Sequence, residues 1–166
     1  MSRKSLFKIL AFCLILPSCK YQIAVSPPWK QENTGKALEV RFFKDDFLSQ
    51  MEGAKVVGKP IFLDFYTDWC GPCRVMDREV FKDGSLATFF NANFINLKVN
   101  AEKGEGVALA REFGVSAYPT LLFLDAQGLE KKRVVGITMA PKLLKIGKGV
   151  TLTTQKSQSF RRAKKR

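Results

Sequence analysis

The sequence predicts an α/β domain in which a mixed sheet lies between helices. Three observations lead there. Segments of strand and helix character alternate through the middle of the chain. An apolar, aromatic run at residues 61–66 (IFLDFY) reads as a central strand covered on both faces. The alternation closes with a hairpin pattern and one more helix. The length of 166 residues suits one such domain with appendages, and no internal repeat interrupts the pattern.

Residues 38–43 (LEVRFF) read as a short first strand. Asp45 is placed to cap the next helix, with Phe47, Leu48, Met51 and Ala54 on its buried side and Gly58-Lys59-Pro60 ending it. After the central strand, a helix starting at Gly71 carries Val75, Met76, Val80 and Phe81 and meets Asp83-Gly84. Ser85 caps a further segment through Phe90. Residues 94–99 are another strand, 105–113 a helix ended by Gly114, and 115–118 lead into Pro119. Residues 120–125 and 131–135 pair as a hairpin around Ala126-Gln127-Gly128, and 140–148 form the closing helix. The domain so defined spans residues 37–148.

The formal charge of +13 raises nucleic acid as a partner until the charge is located. Residues 1–19 hold three basic groups and residues 145–166 hold eight, neither stretch containing an acid. Between them stand 17 basic and 15 acidic residues, so the body is nearly neutral. The start of the chain reads as a secretion signal: Arg3 and Lys4 form a positive n-region and residues 6–16 an apolar h-region, too short to span a bilayer comfortably as a helix. Residues 1–19 are therefore expected to be a signal peptide, which argues against an intracellular chain and so against nucleic acid. Residues 20–36, with Pro27-Pro28 and Gly35, read as a tether. Trp29 within it is either docked on the domain or a solvated linker aromatic. Residues 149–166 read as a disordered basic tail, with attraction to anionic lipid as the second reading.

The chemistry is concentrated at Cys70-Gly71-Pro72-Cys73, where the central strand gives way to a helix. Cys70 would sit at the helix N-terminus, where free backbone N–H groups favour a thiolate. Cys73, about one turn on, lies close enough for a disulfide. A zinc half-site and an inert disulfide are the alternatives. Zinc takes four ligands; the chain has four cysteines and no histidine, and Cys13 and Cys19 fall in and at the edge of the apolar leader. Asp64 is a lone acid in an apolar strand. Such a group is costly unless hydrogen-bonded or protonated, so it is either a functional carboxyl or a strand-end acid facing solvent.

Trp69-Cys70-Gly71-Pro72-Cys73 resembles the active-site pentapeptide of the thioredoxin superfamily. Asp64, six residues before Cys70, falls where that family carries a buried acid, and Tyr118-Pro119-Thr120 falls where it carries its cis-proline. Val135-Gly136 matches the glycine after its last hairpin, and the likeness covers about residues 40–146. Lys59-Pro60 and Glu79-Val80-Phe81-Lys82-Asp83 make it most similar to the thioredoxin-like domains of bacterial envelope thiol:disulfide interchange proteins. The resemblance implies a thioredoxin fold, a central mixed β-sheet flanked by α-helices. It also implies a protein-disulfide oxidoreductase with Cys70 as nucleophile, Cys73 as resolving thiol and Asp64 as proton acceptor for Cys73. The family lysine beside the acid corresponds here to Asn96 or Lys98. Trp69, Gly71, Pro72, Tyr118 and Pro119 would border the substrate groove. Tyr118 departs from the smaller residue usual in the family, so it either narrows substrate choice or only packs.

Gly71-Pro72 is the pair found in reducing thioredoxins, which implies a reductase; an oxidase or isomerase, and a non-catalytic binding or chaperone-like module, are the alternatives. No cofactor and no metal are implied, and a monomer is expected. Protein thiols and disulfides are the expected substrates, and a membrane thiol the electron donor. Leu16-Pro17-Ser18-Cys19 resembles the lipobox of bacterial lipoproteins, with Pro17 as a departure. It implies lipidation at Cys19 and a periplasm-facing, lipid-anchored protein of the cell envelope; cleavage near Ser18 and an uncleaved anchor are the other readings.

Overall fold

The computed structural model describes residues 39–44 and 46–164. The leader with Cys13 and Cys19, the tether with Trp29, Leu38 and Asp45 lie outside these residues. In chain order the elements are β1 (Phe43–Lys44), α1 (Phe47–Val57), β2 (Ile61–Tyr66) and α2 (Gly71–Val75), which continues as a π-helical turn (Met76–Val80). Then come α3 (Gly84–Asn93), β3 (Ile95–Asn100), α4 (Gly106–Glu112), β4 (Thr120–Leu124), β5 (Glu130–Val135) and α5 (Ala140–Lys164). The strands form one sheet in the order β1-β3-β2-β4-β5, with β1, β3 and β2 parallel and β4 and β5 antiparallel to their neighbours. This is the mixed sheet between helices that the alternation predicts.

Strand β2 reads as continuously apolar because both its faces are covered. Side chains alternate across a strand. Ile61, Leu63 and Phe65 enter an apolar layer under α1 and α4, while Phe62 enters the layer under α2, α3 and α5. There Phe62 packs edge-on against Phe90 at 4.8 Å and tilted against Phe123 at 5.1 Å between ring centroids. By the same alternation Asp64 lies on the Phe62 face, beneath the helix that begins at the cysteines.

Several local expectations are corrected. The first strand has two residues, not six, because buried asparagines take the preceding backbone groups. Asn91 accepts from Arg41 N–H and donates to the Glu39 carbonyl, and Asn96 donates to the Arg41 carbonyl. Helix α1 is capped by Asp46, whose carboxylate accepts from Ser49 N–H at 3.2 Å. Leu48 is 73% exposed, since the buried stripe runs through Phe47, Gln50 and Ala54 and leaves position 48 a quarter-turn away. Asp83 rather than Ser85 caps α3, accepting from Leu86 N–H at 2.8 Å, and the helix runs on to Asn93. The largest difference is α5, which continues from Lys148 to Lys164 where a disordered tail was expected. Val150, Thr151 and Thr154 extend its buried side. The two threonine hydroxyls donate back to the Lys148 and Val150 carbonyls, so they bury no unpaired group.

Gly106 joins α4 to β3 with no room for a side chain: a Cβ there would stand 2.0 Å from the Asn100 carbonyl oxygen and 2.8 Å from Val99 Cγ1. Backbone must move to admit it. Gly106→Ala is therefore expected to lower stability by about 1–3 kcal/mol, read as a lower urea midpoint. An unchanged midpoint would contradict the close approach.

Candidate active site

Strand β2 delivers the chain through Thr67-Asp68-Trp69 to Cys70, which caps α2. Cys70 has extended backbone angles, and its Sγ accepts from Cys73 N–H at 3.1 Å. Pro72 stands in the first turn, where a missing N–H costs little. Cys70 and Cys73 are joined in a disulfide with their Cα atoms 5.3 Å apart, and both are 2% exposed. The bond takes both thiols, and no group of residues suited to a metal occurs among the described residues.

The rim is polar and aromatic. Trp69 is 66% exposed yet held on two sides: its indole N–H donates to both carboxylate oxygens of Glu102 at 3.0 Å, and its ring meets Tyr118 edge-on at 5.9 Å. Asp68 accepts from Asn100 Nδ2 at 2.9 Å and pairs with Lys103 at 2.6 Å. Tyr118–Pro119 is a cis peptide, and the Pro119 carbonyl accepts from Gly136 N–H at 2.8 Å. Thr138 N–H reaches Met76 Sδ at 3.4 Å, tying the segment before α5 to the active-site helix.

Below the disulfide, Asp64 is 1% exposed and pairs in register with Lys98 on β3. Lys98 Nζ stands 3.3 Å from Asp64 Oδ2 and contacts Asp77 Oδ1 on the π turn. The same ammonium lies 4.9 Å from the Tyr66 ring centroid and 5.5 Å from those of Phe42 and Phe81. Asp64 Oδ1 is buried with no protein hydrogen-bond partner among the described residues. Burial pushes the Asp64 carboxyl up from 3.8 to about 6; Lys98 opposes that rise and Asp77 adds to it. Lys98 and Asp77 also line an open cleft of about 420 Å³ with Phe42 and Phe81, so one side chain, Lys98, stands between the buried acid and the cleft.

The structure thus brings Cys70, Cys73, Trp69, Tyr118 and Pro119 to one end of the sheet with Asp64 beneath them. It resolves the choice between Asn96 and Lys98 in favour of Lys98, because β2 and β3 align in parallel and place Lys98 opposite Asp64. Asn96 instead bonds Asn91 and the Arg41 carbonyl. Sequence reading missed Asp77 and Glu102. Asp77 lies seven residues after Cys70, two helical turns along the same side, which was the available signal. Glu102 had none, since it approaches Trp69 from the loop after β3.

A family model described as a thioredoxin-like domain matches residues 47–151. The chain belongs to the thioredoxin-like family. It is 40% identical over 86 residues to a thiol:disulfide interchange protein DsbD from Citrobacter koseri, covering 50% of this chain and 15% of that protein. The chain therefore spans about a seventh of the length of that curated relative. A solution structure from Bacteroides thetaiotaomicron, described as a candidate disulphide-isomerase, is 45% identical with a TM-score of 0.59; the match covers 67% of this chain and 92% of that one. The reduced C-terminal domain of DsbD from Neisseria meningitidis shares the fold at 23% identity and a TM-score of 0.52, over 64% of this chain and 98% of that one. With its Cys70–Cys73 disulfide, the chain is a thiol:disulfide oxidoreductase of the thioredoxin type.

The buried acid makes stability depend on pH in a defined direction. Folded Asp64 keeps its proton to about pH 6, against 3.8 in the unfolded chain, so the native state binds more protons in between. Its contribution is full below the unfolded value and is lost as pH rises through the folded one. Asp64→Asn is therefore expected to be more stable than the parent at pH 7 by about 1–3 kcal/mol, with the gap closing towards pH 4. Thermal melts across that range check this; parallel curves would contradict a raised Asp64.

Proposed function

We propose that this chain is a membrane-tethered thiol:disulfide oxidoreductase of the bacterial envelope that reduces protein disulfides. The observation that carries the proposal is Cys70 at the head of α2, bonded to Cys73 above a buried, protonatable Asp64. In the reduced enzyme, Cys73 N–H stabilises the Cys70 thiolate, which attacks one sulfur of a substrate disulfide. A Cys70–substrate disulfide forms and one substrate thiolate leaves. Asp64 takes the proton of Cys73, whose thiolate attacks Cys70 Sγ and releases the second substrate thiolate. The products are reduced substrate and the Cys70–Cys73 disulfide. A second dithiol must return two electrons, and in the envelope a membrane-embedded thiol protein is the class that fits. Trp69, Tyr118 and the cis peptide at Pro119 would border the groove that admits the substrate segment.

Support for the reducing direction is Gly71-Pro72 between the cysteines. Support for tethering is the leader and the Leu16-Pro17-Ser18-Cys19 pattern, with lipidation at Cys19. Likeness to the Bacteroides protein described as a candidate disulphide-isomerase favours isomerisation as a second reading, and the two separate cleanly. Reduction needs Cys73 to resolve the mixed disulfide, whereas isomerisation needs only Cys70 to enter and leave.

Insulin reduction by dithiothreitol is expected to be accelerated by the parent chain and not by Cys70→Ser. Cys73→Ser should accumulate a mixed disulfide visible on a non-reducing gel. A Cys70→Ser variant as active as the parent would defeat the enzymatic reading. Full repair of scrambled ribonuclease by Cys73→Ser would favour the isomerase. Cys19→Ala is expected to weaken retention on membranes, leaving at most a remainder that added salt removes.

A further inference from the structure

The exposed side of α5 is positively charged, and Lys148 Nζ stands 5.8 Å from the Phe89 ring centroid. Residues 140–166 contain nine Lys or Arg and no Asp or Glu. Lys142, Lys145, Lys148 and Lys156 are exposed, and none joins an ion pair among the described residues. Steps of three and four residues place Lys145, Lys148, Leu152 and Lys156 along one stripe. Leu152, 67% exposed, sits in the middle of it. Lysines around a solvent-facing leucine are the pattern of a helix lying on an anionic lipid surface.

The location of the stripe supports that partner. Strands β1, β2 and β3 are parallel, so their starting ends share one pole, and Cys70 follows the finishing end of β2. Thr151, Thr154 and Gln155 of α5 line a small cleft with Gly58, Lys59 and Pro60, which lead into β2. The C-terminal half of α5 therefore lies at the pole opposite the dithiol. The chain also enters there: Glu39 and Arg41 are held by Asn91, late in α3, and Arg41 by Asn96, early in β3. Glu39 is an acid at this entry, and Lys59 adds a cation in the cleft beside Thr151, Thr154 and Gln155. An N-terminal attachment and the basic helix would thus meet the same surface.

We propose that the lysine stripe of α5 docks on a bilayer carrying anionic headgroups, at the pole opposite Cys70, and so leaves the dithiol facing away from the lipid. The docking is a second contact with the membrane and does not depend on lipidation of Cys19. Nucleic acid is the competing anionic partner, disfavoured by the secretion-type leader and separated by the test below.

The experiment is vesicle flotation of the full chain carrying Cys19→Ala, with and without Lys145→Glu, Lys148→Glu and Lys156→Glu together. The vesicles are phosphatidylcholine alone or phosphatidylcholine with phosphatidylglycerol. Phosphatidylglycerol should increase binding of the parent, and the triple variant should lose that increment by about tenfold or more, since each lysine near an anionic surface is worth roughly a fivefold factor. Added salt should weaken the parent in the same way. Insulin reduction should be equal in both chains, which reports folding and keeps a failure of docking distinct from a failure of the redox reading. If charge reversal unfolds the helix, glutamine at the three positions should still lower the increment. Triple and glutamine variants that float like the parent would overturn the proposal, as would a parent that prefers single-stranded RNA to phosphatidylglycerol vesicles.

Discussion

A carboxyl group sealed inside the central strand sets the terms for everything around it. Asp64 cannot reach water directly, and a buried charge is costly unless compensated. The compensation is one ammonium, Lys98, which also serves Asp77 and lies among the Tyr66, Phe42 and Phe81 rings. That arrangement requires β2 and β3 in parallel register, and it requires the π turn after Cys73 to carry Asp77 over the sheet. Shifting β2 by one residue would send Asp64 into the opposite apolar layer, and shifting β3 would take Lys98 away from it. The pair is only partly satisfied, since Asp64 Oδ1 has no hydrogen-bond partner among the described residues, and a half-compensated acid is one that can hold or yield a proton near neutrality.

The rest of the domain keeps this acid and the disulfide in fixed relation. Phe62, Phe90 and Phe123 fill the layer beneath the active-site helix, and Met76 links that helix to the segment before α5 through Thr138. Above the disulfide the structure is of another kind. Trp69 is large and exposed, and is held at its edges by Glu102 and Tyr118. The disulfide is thus buried on a packed apolar floor, with an exposed aromatic side chain beside it.

Much of this was legible in the sequence, for local reasons. The IFLDFY run could only be a covered strand, the two cysteines announced the site, and the acid in an apolar run announced its own cost. What was not legible depended on alignment between distant segments. Choosing Lys98 over Asn96 required the β2–β3 register, and Glu102 required a loop to fold back over Trp69. Capping was misassigned by one or two residues because Asp45-Asp46 and Asp83-Gly84-Ser85 each offer more than one oxygen. The tail was misread because its composition is that of a solvated end. Val150, Thr151 and Thr154 carry the buried face past Gly149, and the residues beyond follow the helix thus begun.

The proposed direction is donation of electrons from this site to substrate disulfides. Equilibrating the Cys70–Cys73 pair of the full chain against a thiol buffer measures its reduction potential directly. A dithiol that reduces protein disulfides should give a value near that of thioredoxin, about −270 mV. A value near −120 mV, that of a strong oxidant, would contradict it and make reduced, newly secreted chains the substrates.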